Sequence, residues 1–105
     1  MQITKEAFER KISKKVCKVL CGPKGYDSTI LLLLVRDFLE NQDSRKLNAL
    51  KSLEKFLNSR IKVLSETDRE FVASELESGF FAEVKDETYV LVFDEAFSRW
   101  KVELI

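Results

Sequence analysis

The chain has no histidine at all. That removes the Ser-His and Cys-His nucleophile pairs and the commonest metal ligand. Cysteine is nearly as scarce: Cys17 and Cys21 stand four residues apart inside a helical pattern. A disulfide framework needs more cysteines, set further apart, so two reduced thiols in a cytoplasmic setting are expected. With no second cysteine or histidine pair, the same two residues leave a structural zinc site incomplete. There is one proline, three glycines and no low-complexity tract, and no interdomain linker is visible. The longest apolar run, Ile30–Val35, has six residues, far short of the roughly 20 that a membrane-spanning helix takes. The first residues, Met1–Phe8, are charged and lack the apolar stretch of a secretory signal.

What is present is an ordinary folding composition. Across 105 residues, 45 % are hydrophobic, enough for one core, and no internal repeat is seen. Residues 1–105 are therefore taken as a single domain. The net charge of zero hides an asymmetry. Residues 1–62 hold 14 basic and 7 acidic side chains, and residues 63–105 hold 4 and 11, giving +7 and −7. Such a layout is either two solvated faces or a basic surface suited to an acidic partner.

Hydrophobic spacing predicts four helices and then strands. Phe8, Ile12, Val16 and Leu20 recur every fourth residue, predicting a helix over Thr4–Leu20 that Thr4 caps and Gly22-Pro23 ends. Asp27 or Ser28 caps a second helix to about Asn41. Its apolar run surrounds the helix, which places it centrally and buries Leu32 and Leu33. Ser44 caps a third, to about Ser59, with Leu47, Leu50, Leu53, Phe56 and Leu57 on one face. In "SETDRE" (Ser65–Glu70), Thr67 with Glu70 forms a capping box, and Ser65 with Asp68 is a second option. That fourth helix stops at Gly79.

From Phe80 the period falls to two. A turn at Asp86-Glu87 would pair Val84 with Tyr89, Ala82 with Leu91 and Phe80 with Phe93, building one apolar face. Phe81, Val90 and Val92 then share the opposite face. A third strand follows, with Trp100, Val102 and Leu104 inward. The expected class is α+β: four helices, then a three-stranded antiparallel β-meander.

Candidate chemistries are few. "CGPKG" (Cys21–Gly25) lacks the spacing of a phosphate loop. Glu83-Val84-Lys85 has the Glu-x-Lys form that some nucleases use, where carboxylates gather on a metal beside a lysine. No preceding strand supplies a convergent aspartate here. The acidic pairs Asp86-Glu87 and Asp94-Glu95 lack the regular oxygen spacing of a calcium loop. No enzyme activity and no cofactor are expected.

The run "VASELESGFFAEVKDETYVLVF" (Val72–Phe93) is a helix end, a glycine stop, an aromatic strand, a charged turn and an alternating strand. It resembles the recognition helix and wing of winged-helix domains. The resemblance implies a winged-helix-like fold whose helix before the wing enters the major groove of DNA. Here that helix carries Glu66, Asp68, Glu70, Glu75 and Glu77 against Arg69, and phosphates would repel it. Nucleic-acid contact falls instead to the basic half: Lys11, Lys14, Lys15, Lys18, Lys24, Arg45 and Lys46. The same basic helix can also lie on an anionic membrane. Apolar residues grouped on a sheet face point to cover, by the first helix or by a partner. The expected function is thus a small non-catalytic interaction module that binds another protein and can self-associate. Its protein-binding residues are Phe81, Val90 and Val92, and nucleic-acid binding of winged-helix type is the alternative.

Overall fold

Short polar side chains and glycines set the helix boundaries, and they place some of them differently from the apolar spacing. The computed structural model describes residues 10–22 and 25–105, with residues 25–27 described by their backbone alone. Within them lie α1 (Lys14–Cys21), α2 (Gly25–Glu40), α3 (Asp43–Ile61), α4 (Glu66–Glu75), β1 (Phe80–Val84), β2 (Glu87–Asp94) and β3 (Arg99–Leu104).

The expected helix over Thr4–Leu20 is not continuous. Residues 10 and 11 are helical, Ile12 and Ser13 leave the helix, and α1 restarts at Lys14. Ser13 is the cause: it is extended, and its Oγ accepts a hydrogen bond from the Val16 N–H at 3.2 Å. The break leaves the apolar stripe in place, since Ile12, Val16 and Leu20 are all buried. Thr4 and Phe8 lie outside the described residues. Gly22, at φ +67°, ends α1 by donating its N–H to the Lys18 carbonyl.

The second helix begins at Gly25, so Ser28 lies inside it. There its Oγ accepts from the Cys17 thiol at 3.7 Å. The burial of Leu32 and Leu33 is corrected: they are 38 % and 45 % exposed. Leu31, Val35 and Phe38 carry the burial instead, on one face at helical spacing. The physical reason is position. α2 packs on α1 and α3 at the periphery, so only one side of its apolar run meets the core. The central helix is α3, which packs on α1, α2 and all three strands. It buries Ala49, Leu50, Leu53, Leu57 and Ile61. Its N-cap is Gln42, which makes no side-chain capping bond, and Ser44 sits one residue inside the helix. At α4 the second capping option holds: Ser65 Oγ accepts from the Asp68 N–H at 3.2 Å.

The sheet has the order β1-β2-β3, antiparallel throughout. The hairpin turns at Lys85-Asp86, with Lys85 at φ +58°, one residue before the expected turn. Moving the turn by one residue slides the register by two. The pairs are Phe80 with Leu91, Ala82 with Tyr89 and Val84 with Glu87. A two-residue slide keeps every side chain on its face. Phe80, Ala82, Leu91 and Trp100 are therefore buried against the helices as the alternation requires. Phe38 meets Phe80 edge-on at 5.6 Å, and Phe93 meets Trp100 at 5.5 Å. The whole is 18 Å along its shortest axis, the depth of one helix layer on one sheet layer.

Candidate functional site

The strand alternation that buries one sheet face also fixes what lies on the other. Its central positions are Phe81 on β1 and Val90 and Val92 on β2. Phe81 now lies opposite Val90 rather than Val92, and Glu83 lies opposite Thr88. None of Phe81, Val90 and Val92 belongs to the core cluster or packs against it. The described part of the first basic segment does not cover them: α1 packs on α2, α3 and α4. The three differ in access. Phe81 is 49 % exposed, Val90 only 5 %, and Val92 is half-buried. Phe81 and Val92 are thus the reachable apolar points.

Charged groups frame them. On β3, Lys101 pairs with Asp94 at 3.3 Å and with Glu103. Desolvation pushes the Asp94 carboxyl up. The hydrogen bond and charge of Lys101, with the N–H groups of Phe97 and Ala96, outweigh it and hold Asp94 below its ordinary value. The hydrogen bonds to Glu103 and Asp94 raise Lys101 above its own.

Gly79 joins α4 to this face. It sits at φ +74°, and a Cβ there would come within 3.0 Å of the Leu91 carbonyl oxygen and 3.2 Å of a Val90 methyl. Only glycine meets both demands. Beyond Val92 the face opens into a cleft of about 680 Å³ between α4 and the β2–β3 turn. Val92 and Phe93 contribute apolar lining, and Glu66, Glu70, Glu77 and Glu95 line it together with Arg69. This sets four carboxylates against one guanidinium, a lining that favours a cationic group.

The two sheet edges are finished differently. Asn58 on α3 accepts from the Trp100 N–H at 2.7 Å and donates to the Trp100 carbonyl at 2.9 Å. Glu54, one turn earlier, accepts from the Val102 N–H at 2.7 Å. These bonds fix which backbone groups point outward: Trp100 and Val102 on β3, and so, two strands away, Phe81 and Glu83 on β1. The bond from the Ile105 N–H to the Thr88 carbonyl obeys the same parity. At the head of β1 the Gly79 carbonyl lies 3.4 Å from Lys11 Nζ. Among the described residues, no hydrogen bond reaches the outward groups of Phe81 or Glu83.

The basic candidates do not form one surface. Lys11 sits over the Phe80 ring at 4.7 Å and Lys46 over Phe38 at 4.6 Å, two rings that touch each other. Burial, with Lys46 nearby, holds the Lys11 amine below its ordinary value. Lys15 lies over Phe71 of α4 at 5.1 Å. Lys14, Lys18 and Arg45 are exposed, and Lys24 lies outside the described residues. The lysine–aromatic contacts had no trace in the sequence, because each ring comes from a different element. Glu83 and Lys85 are exposed near the tip of the hairpin, and Cys17 and Cys21 lie within the helix layer, neither in a disulfide.

No protein-family model, curated protein or solved structure matches the chain. No described helix is long and apolar enough to cross a membrane.

Proposed function

We propose that this chain is a small non-catalytic interaction module, working in the cytoplasm, that binds another protein through the sheet side of the molecule. One observation carries the reading. Phe81 and Val92 are apolar and reachable on the face that the described helices leave, in the acidic half of the chain. Accessible apolar groups on a sheet face mark contact surfaces. The cleft beside Val92 adds a pocket lined by glutamates, which favours a partner offering lysine or arginine. Self-association through the same face is the second form this binding can take.

The competing reading is a nucleic-acid binder of winged-helix type that uses the basic half. It has less support, because Lys11, Lys15 and Lys46 are engaged over aromatic rings and not gathered toward a single groove. Two measurements separate these readings. Phe81→Lys with Val92→Lys should abolish protein association, read by light scattering, while the melting temperature is kept. Retention of the wild type on duplex DNA or heparin should be weak and little changed by salt. Strong, salt-sensitive retention lost on reversing Lys14, Lys15 and Lys18 would establish the nucleic-acid reading instead.

A further inference from the structure

An unpaired strand edge is a template for another strand, and folded proteins blunt such edges. This molecule blunts one and part of the other. Asn58 and Glu54 occupy both outward groups of Trp100 and the N–H of Val102 on β3, and Lys11 approaches the Gly79 carbonyl just before β1. Among the described residues, no hydrogen bond reaches the outward N–H and C=O groups of Phe81 and Glu83, whose side chains are exposed. We propose that this stretch of β1 takes up an extended basic segment of a partner protein as a fourth strand. The segment presents an apolar residue opposite Phe81 and a lysine or arginine opposite Glu83. The proposal rests on the protein-binding reading above and names the chemistry of its partner.

Charge selects the occupant. From β1 into the turn, Glu83, Asp86 and Glu87 stand against Lys85, all of them exposed. A second copy fits this edge poorly. Antiparallel pairing of β1 with its own copy joins the outward groups of Phe81 and Glu83 within the strand when Phe81 meets Glu83 of the other chain. That register sets each Phe81 ring beside the other copy's Glu83 carboxylate, an apolar group against a charge. A basic segment meets the same edge with opposite charge. Its backbone supplies the hydrogen bonds, and its alternate side chains continue the face that holds Phe81 and Val92.

The test uses the labelled peptide Thr-Lys-Thr-Lys-Thr-Val-Thr, whose order sets Val opposite Phe81 and Lys opposite Glu83 in antiparallel pairing, and its counterpart with glutamate in place of lysine. Fluorescence anisotropy should show the lysine peptide binding about tenfold more tightly, with the difference shrinking as salt is added. Amide exchange at Phe81 and Glu83 should slow on binding. Glu83→Lys should reverse the peptide preference. Glu83→Pro should abolish binding with the fold kept, since its N–H points away from β2. If the proline variant does not fold, the lysine variant carries the test alone. Equal binding of both peptides, or unchanged exchange at Phe81 and Glu83, would overturn the proposal. Concentration-dependent protection of those amides without peptide would give the edge to a second copy and overturn it as well. Partner association lost in the Phe81→Lys, Val92→Lys double variant but kept in Glu83→Pro would remove the edge proposal and leave the protein-binding reading standing.

Discussion

The two edge strands of this sheet are built from similar residues and treated in opposite ways. β3 reads RWKVEL and β1 reads FFAEV, both alternating, both antiparallel to β2. Along β3, one helix lends an amide and a carboxylate that satisfy the backbone as a neighbouring strand would. At β1, Lys11 reaches the Gly79 carbonyl just before the strand, and among the described residues no side chain bonds the outward groups of Phe81 and Glu83. The contrast shows that edge protection is a property of what lies beside a strand, not of the strand's own sequence. α3 reaches β3 with Asn58 and Glu54, whereas β1 meets α3 through its buried face.

Substitutions can break this contrast, and the largest effect is expected within the ladder. Ala82→Pro should cost about 3 kcal/mol or more, because Ala82 is buried and its N–H points toward β2. Chemical denaturation measures it. Asn58→Ala comes next, at about 1–3 kcal/mol, since it strands both the N–H and the C=O of Trp100 in a part-buried setting. The same variant should gain concentration-dependent association, having turned a closed edge into an open one. Gly79→Ala should cost about 1–2 kcal/mol, from the left-handed backbone and the close approach of the Leu91 carbonyl. Glu83→Pro should leave the melting temperature nearly unchanged, and the gap between it and Ala82→Pro is the sharpest mutational form of the comparison.

The smallest effect concerns pH. The Asp94 carboxyl lies below its ordinary value in the folded chain, so its contribution to stability is present above the ordinary carboxylate range. That contribution is lost as pH falls through the folded value. Lys101→Met should therefore lower stability slightly near neutrality and leave it unchanged below the folded Asp94 value, which flattens the acid side of the profile.

The sequence carried the kinds of element and their order because apolar spacing is a local signal. Face alternation in the hairpin was legible for the same reason, and it placed Phe81, Val90 and Val92 together. The register was not. A two-residue slide preserves every face, so the alternation of Phe80, Ala82 and Val84 cannot choose between turns, and Lys85 at φ +58° made the choice. Ser13 was hidden inside a regular apolar stripe, which continues across the break it causes. The exposure of Leu32 and Leu33 depends on which sides of α2 have neighbours, and a run of apolar residues does not say. Asn58 and Glu54 look like surface positions of an amphipathic helix. Their partners lie 42 and 48 residues away, beyond any local pattern.

Amide hydrogen exchange of the free protein measures the bonded edge and the open edge at once. Trp100 and Val102 should exchange slowly, at rates near those of the ladder amides of Leu91 and Ala82. Phe81 and Glu83 should exchange orders of magnitude faster, as amides with no acceptor do. Equal protection of the four edge amides in the monomer would contradict the account and show that β1 is already covered.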